Sequence, residues 1–342
     1  MTSVLPIQYD YSLQRLNTFG IAAKAKAYLR VTSIGMLNQV KNDAFLARLP
    51  KLVLGGGSNL LFTGDFSGLV LHMCTNGVEI VSEDADAIYV KAAAGENWHQ
   101  FVQWTLQQGL GGLENLSLIP GNVGAAPIQN IGAYGVELKD NFHALTAFDF
   151  DTGKSFVLDR AACQFSYRDS VFKHALRERA VILDVTFALP KKWQPNIQYA
   201  DVAQELTAQG INMPTAKQIS DAVIAIRSRK LPDPARIGNA GSFFKNPVVS
   251  VEQRDALLAR FPHLVSYAQP DGSYKLAAGW LIDQSGWKGK NLGAAGVYEK
   301  QALVLVNRGG ATGREVAELA AAIQMDVMAK YGVMLEPEPV FI

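Results

Sequence analysis

The chain is poor in cysteine, with only Cys74 and Cys163 among 342 residues. Two thiols cannot staple a disulfide framework, so a reducing, cytoplasmic setting is expected. Charge of one sign is missing as well. The 32 basic side chains meet 31 acidic ones, leaving no net field to gather nucleic acid or an anionic membrane. No run of about 20 residues stays apolar once Gly, Pro and polar breaks are counted, so no membrane span is expected. The first residues lack a basic region followed by an apolar stretch, so no signal peptide is expected either. His72, His99, His143, His174 and His263 are scattered, and no His or Cys pair has zinc-ligand spacing, which argues against a metal site. No Gly-x-Ser-x-Gly elbow is present, so a hydrolase triad has no support. A dinucleotide fingerprint and a P-loop are also absent.

What is present is a sizeable apolar fraction, 49% against 18% charged, ordinary for a globular enzyme of two or three domains. One stretch stands apart. Residues 116–136 carry no charged side chain, but hold Gly121, Gly124, Gly132, Gly135, Pro120 and Pro127. That density of Gly and Pro forbids a regular helix. If buried, such backbone needs partners for its N–H and C=O groups, and a large ligand such as a flavin with its pyrophosphate could supply them.

Strands are expected at 51–54, 60–62, 69–73, 87–94, 144–150, 155–158 and 181–189, with a turn at Asp151, Thr152 and Gly153. Trp98, Phe101, Val102 and Leu106 share a helical face that Gly109 would stop. Three capping boxes announce helices, at Thr215 with Gln218, Ser250 with Gln253, and Thr312 with Glu315. The last precedes an apolar stripe of Val316, Leu319, Ala320, Ile323 and Val327, with Gly332 placed as a cap. Pro232 and Pro234 break the chain near 231, a natural domain boundary. The sum is an α+β protein without regular strand–helix alternation.

Three motifs have both a plain and a functional interpretation. Gly55, Gly56, Gly57, Ser58 and Asn59 follow a strand and form either a hairpin turn or a backbone nest for a phosphate. The charge-free 116–136 segment tips the choice toward the nest. Tyr167 and Arg168 read first as a surface pair packed on a ring, and second as a guanidinium presented to a carboxylate. Ser242 follows Gly241 and precedes Phe243 and Phe244; on a flat strand those two rings cannot both face one core, so one would line a pocket or an interdomain contact. Glu336 precedes Pro337, and Glu338 lies between Pro337 and Pro339; prolines stiffen the chain, which suits a carboxylate held in place or any extended tail.

Taken in order along nearly the whole chain, these residues resemble the UDP-N-acetylenolpyruvoylglucosamine reductase family. The resemblance runs from Asn17, Thr18, Phe19 and Gly20 through the 55–59 loop, 118–121, 127–135 and 167–170 to 241–247 and 335–338. Residues 193–199 resemble the form of the family with an extra tyrosine-bearing insertion. It implies an α+β fold of three domains, with a flavin fold of the vanillyl-alcohol-oxidase-like type. Residues 1–75 and 76–231 would be the two FAD-binding subdomains and 232–335 the substrate domain, with 336–342 returning to the first.

The resemblance also implies noncovalent FAD, held by Gly55, Gly56, Gly57, Ser58, Asn59, Leu60, Ile119, Pro120, Gly121, Gly124, Ala125, Ala126, Ile131 and Gly132. NADPH would reduce the flavin and then leave. The enolpyruvyl UDP-sugar would take its place and receive a hydride from flavin N5, completing a peptidoglycan precursor. Arg168 and Glu338 would stabilise the intermediate, and Ser242 would give the proton, with Lys245 as a neighbour able to tune it. Tyr167, Tyr199, Arg227, Lys230, Asn246, Tyr267, Lys275 and Gln301 would hold the substrate. A monomer is expected. The rivals are another oxidoreductase of the same flavin fold and a colourless sugar-nucleotide-binding regulator.

Overall fold

The structure is a computed structural model that describes residues 5–342. Alternation of small and apolar residues with charged ones in Lys24–Val31 puts Ala25, Ala27, Leu29 and Val31 on one buried face, the period-2 signature of a half-buried strand. This strand lies parallel to Phe66–Met73, which is parallel in turn to Lys51–Leu54. Helix α1 (Ile34–Asn42) covers the sheet with Leu37 and Val40, meeting Leu29, Leu69 and Leu71.

A second sheet is antiparallel and five-stranded. Its order is Lys154–Asp159, Phe142–Asp149, Ala180–Pro190, Ala87–Ala93 and Val78–Glu83. Helix α2 (Trp98–Gln107) packs on this sheet through Trp98 and Phe101, whose rings lie 5.8 and 5.1 Å from that of Phe187. Helices α3 (Ala200–Ala208) and α4 (Ala216–Lys230) share a small core of Val202, Leu206, Ile219, Val223 and Ile226.

The chain divides into two compact units. One comprises residues 5–11, Ala25–Gly57 and Phe66–Arg229; the other comprises Ser12–Lys24, Ser58–Asp65 and Lys230–Ile342. Both sheets just described belong to the first unit.

The second unit holds a four-stranded sheet ordered Gly238–Ser242, Val304–Asn307, Ala295–Val297 and Asn291–Leu292. A three-stranded sheet joins Val248–Val249, Tyr274–Leu276 and Ser266–Ala268. Helices α5 (Val251–Arg260), α6 (Ala278–Gln284) and α7 (Gly313–Tyr331) complete it. All three capping boxes form, and Gly332 caps α7 in the left-handed conformation with φ of 68°. The α7 stripe is buried throughout. The C-terminal strand Val340–Phe341 pairs in parallel with Leu60–Leu61.

Two expectations need correction. The 116–136 segment forms no α-helix, yet Val123–Gln129 winds as a 3-10 helix with Pro127 inside it. Much of its backbone is satisfied by the chain itself rather than left for a ligand. Val123 N–H donates to Glu96 O and Gly124 N–H to Ala94 O, both at 2.9 Å, while Gly121 O accepts from Trp98 N–H. The end of one strand and the start of α2 supply those partners, which the segment's own composition could not reveal.

The second correction concerns Phe243 and Phe244, which are both buried, at 0% and 1% exposure. The strand ends at Ser242, so the flat-strand rule does not apply beyond it. Phe243 donates to Leu303 O and accepts from Glu338 N–H, and Lys245 N–H donates to Glu336 O. The tail therefore pairs antiparallel with this segment, and the two rings pack edge to face at 5.2 Å.

Several elements gave no clear local signal. Helix α1 starts at Ser33 without a side-chain cap bond and carries Gly35 in its first turn, both weak helix signals.

Candidate active site

In the first unit the two glycine-bearing segments come together. A Cβ at Gly56 would stand 2.9 Å from Asn122 Oδ1 and 2.9 Å from Gly121 Cα; one at Gly55 would lie 3.4 Å from Asn122 Cβ and 3.6 Å from Ala125 Cβ. At Gly56 only bare backbone allows this approach, whereas a Cβ at Gly55 would make ordinary contact. Gly57 has φ of 60° and Gly121 of 118°, values that favour glycine. Asn122 was not singled out in the sequence, though it follows a glycine in a turn. Its Nδ2 donates to Gly95 O at 2.7 Å and fixes the junction.

Gly124 lies in the same segment, but the side where its Cβ would be faces Ala94, 2.5 Å from that residue's Cβ. Ala126 and Ile131 are buried in the core of the antiparallel sheet, and Ile119 packs against it. Pro120 and Ala125 lie in the same glycine-broken stretch; Ala125 N–H donates to Asn122 O at 3.0 Å.

Arg168 sits at the tip of a tight turn. Ser166 and Asp169 bridge its ends through Ser166 N–H to Asp169 O at 3.1 Å. Arg168 itself has φ of 57°, strained for a residue with a side chain. Its guanidinium donates to Gly132 O at 2.8 Å and lies 5.3 Å from the Tyr167 ring centre. A Cβ at Gly132 would come within 3.0 Å of that guanidinium, so glycine there leaves it room. Asp169 is not the partner of Arg168 in a simple surface pair; its carboxylate binds His174 Nε2 at 2.8 Å.

Residues 193–199 are held within the first unit by side-chain hydrogen bonds. Trp193 Nε1 donates to Glu114 at 2.8 Å, and buried Asn115 donates to both Asn196 O and Tyr134 O at 2.9 Å. Tyr199 then meets Tyr134 edge to face at 5.2 Å. Arg227, on α4, lies near Tyr134. Burial pushes the Tyr134 phenol up and pulls the Arg227 guanidinium down from its usual range. Arg227 Nε is buried without a hydrogen-bond partner.

In the second unit, Ser242 ends its strand opposite Val304 and is exposed. The Phe243–Glu338 backbone bond sets Glu338 one residue away from it across the strand-like pairing. Asn59 Nδ2 donates to Glu338 O at 3.1 Å, and Val340 N–H donates to Asn59 O at 3.0 Å. Ser58 and Leu60 flank Asn59, with Leu60 opposite Val340. Lys245 forms an ion pair with Glu336.

Four more expected residues cluster around the start of α6. Asn246 Oδ1 accepts from Ala278 N–H at 3.0 Å. Lys275 is the register partner of both Tyr267 and Val248. Gln301 Oε1 would lie 3.1 Å from a Cβ at Gly279, in the first turn of α6. Lys230 closes α4 at the unit boundary.

Comparison with known proteins follows the same division. A family profile described as an FAD binding domain matches residues 25–159. A second, described as the C-terminal domain of UDP-N-acetylenolpyruvoylglucosamine reductase, matches residues 233–342. The chain is 59% identical over 340 residues to the UDP-N-acetylenolpyruvoylglucosamine reductase of Burkholderia vietnamiensis, covering 99% of this chain and 97% of that one. It is 57% identical to the protein of that name from Paraburkholderia phymatum, covering 98% of each. Among solved structures it is similar to the Thermus caldophilus enzyme of that name, with a TM-score of 0.67, 24% identity and 99% and 98% coverage. It shares its fold more distantly with 6-hydroxy-D-nicotine oxidase from Arthrobacter nicotinovorans, at a TM-score of 0.50 and 14% identity over 96% of this chain and 86% of that one.

Proposed function

The chain belongs to the UDP-N-acetylenolpyruvoylglucosamine reductase family, and from that premise we propose how its residues divide the work. The activity is NADPH-dependent reduction of UDP-N-acetylenolpyruvoylglucosamine to UDP-N-acetylmuramate through FAD, in peptidoglycan precursor synthesis. The cofactor, when bound, supplies hydride transfer, first from NADPH and then to the enolpyruvyl group.

The residues present fit such a group. Gly56 meets Gly121 as bare backbone, Gly55 faces Asn122 and Ala125 beside it, and Gly57 turns the loop with φ of 60°, the kind of surface that lets N–H groups approach a pyrophosphate. Ser58, Asn59, Leu60, Ile119, Pro120, Gly124, Ala125, Ala126, Ile131 and Gly132 would complete the cradle.

Arg168 carries the reading of the chemistry. A partly buried guanidinium, presented from a strained turn and steadied by Gly132 O, suits a carboxylate that gathers negative charge. Hydride addition at the terminal carbon leaves that charge on the neighbouring carbon and the carboxylate. Arg168, assisted by Glu338, would hold it there. The Ser242 hydroxyl would then give its proton to the carbon. A hydroxyl is a weak acid, so this step depends on the acceptor being strongly basic and on water being excluded.

Arg227, with its buried and unpartnered Nε–H, suits an anionic oxygen of the diphosphate. Tyr167, Tyr199, Lys230, Asn246, Tyr267, Lys275 and Gln301 would hold the rest of the UDP-sugar. We place the activity in a cytoplasmic monomer of the three-domain kind. No helix among the described residues is long and apolar enough to cross a membrane.

The test is anaerobic stopped-flow spectroscopy. The protein should bleach at the flavin band with NADPH and recover its colour when UDP-N-acetylenolpyruvoylglucosamine is added. A colourless protein, or one that is reduced but never reoxidised by that substrate, would sink the proposal.

A further inference from the structure

Asn130 has no part in the roles assigned above, yet it is fully buried, at 0% exposure, and makes three hydrogen bonds. Its Nδ2 donates to Ser166 O and to Glu137 Oε2, both at 3.0 Å, and its Oδ1 accepts from Lys139 N–H at 3.0 Å. Two acceptors and one donor around the amide leave it a single satisfied orientation. Its backbone is left-handed, with φ of 43° and ψ of 64°, and ends the Val123–Gln129 turn. Asn is among the few residues with a side chain that tolerate this conformation.

The partner on Ser166 matters most. Ser166 is the first residue of the four-residue turn that carries Tyr167 and Arg168. Two positions beyond Asn130, Gly132 O receives the Arg168 guanidinium. The 130–132 stretch therefore holds both the base of the Arg168 turn and the head of its side chain. On the far side of the turn, Lys173 Nζ donates to Arg168 O at 2.7 Å and Ser170 Oγ donates to Ile128 O at 2.7 Å. The glycine-broken segment and the arginine turn are thus stitched as one piece, and the Asn130 amide bonds into the turn from the segment.

We infer that Asn130 is a positioning residue that sets Arg168 in register with the flavin-holding segment. This rests on the proposed role of Arg168. A misplacement of about 1 Å at such a group can cost on the order of 100-fold in rate, so the amide acts on the substrate half-reaction without touching substrate.

Two variants test it against Arg168→Ala. Asn130→Asp keeps the shape but turns the donor into an acceptor facing Glu137 and Ser166 O. Asn130→Gly keeps the left-handed backbone without the side chain. Both should retain flavin and be reduced by NADPH within about twofold of the parent, while reoxidation by the enolpyruvyl substrate slows by about tenfold to 100-fold, expressed mainly in kcat rather than KM. If Asn130→Asp fails to fold, Asn130→Gly carries the test alone. Parent-like reoxidation in the Asn130 variants with slow reoxidation in Arg168→Ala overturns the inference but not the role of Arg168. Parent-like reoxidation in Arg168→Ala overturns that role. Equal loss in both half-reactions, or loss of flavin from Asn130→Gly, marks a merely structural residue and overturns the inference.

Discussion

Asn59 and Glu338 are joined across 279 positions of sequence by a 3.1 Å hydrogen bond from the Asn59 amide to the Glu338 carbonyl. The bond belongs to a larger fastening. Val340 N–H returns to Asn59 O, and Thr63 N–H and Oγ1 both donate to Ile342 O. The side chain of a glycine-loop residue is therefore bonded to the backbone of a proposed catalytic residue, and its own carbonyl to Val340 two positions on. Asn59→Ala should lower stability by about 1 kcal/mol, the usual worth of one such bond, and slow reoxidation by the enolpyruvyl substrate. Thermal unfolding paired with stopped flow checks both; unchanged kinetics would separate the fastening from Glu338.

Ser242→Ala should leave flavin reduction by NADPH nearly normal. Reoxidation by the enolpyruvyl substrate should slow by about 100-fold or more, the scale of a lost general acid. Ser242 is exposed at the end of its strand, so the variant should fold as the parent does. Equal slowing of both half-reactions would remove Ser242 from the proton-donor role.

Gly124→Ala should destabilise the protein by about 1–3 kcal/mol, because its new Cβ would press on Ala94. Flavin content should fall as a consequence of that packing. Ala94→Gly in the same chain should restore part of both, since it removes the nearest opposing atom and leaves the Ala94 Cα and O at 3.0 and 3.1 Å. A double variant as deficient as the single one would point instead to direct crowding of the cofactor.

Asp149 provides an acid-sensitive contact. Its carboxylate accepts from Arg179 at 2.7 Å and from Asp151 N–H at 2.7 Å. The hydrogen bonds to Arg179 come first in drawing its pKa from 3.8 to about 2. The folded pKa lies below the unfolded one, so the stabilisation is complete above about pH 4 and is lost as pH falls toward 2. Arg179 is partly exposed, and solvent screening limits the effect to about 1 kcal/mol. Asp149→Asn should flatten that limb of the stability–pH curve; an unchanged limb would assign the acid sensitivity to other carboxylates.

The legible features were local ones. Each capping box joins residues three apart, so Thr215, Ser250 and Thr312 announced their helices in a single line of sequence. The glycine turns were equally plain, because positive φ at Gly57 and Gly121 demands the residue type found there. The left-handed conformations of Leu118, Tyr134 and Arg168 carried no such mark; neighbouring structure holds them against their own preference. Arg168 was found through resemblance, whereas its bond to Gly132 was visible only in three dimensions.

By itself the sequence determined the α+β class, the starts of the three capped helices, several strands and the glycine turns, and its ordered motifs carried the family resemblance. The class, starts and turns follow from periodicity, capping and glycine chemistry, which act over a few residues. The tertiary structure alone decided which distant groups meet. It brought Gly56 against Asn122, buried Phe243 and Phe244 together under the returning tail, and tied Asn130 to Ser166 across 36 positions. Those outcomes depend on burial and on where unpaired backbone groups find partners, and neither is a property of any short stretch of chain.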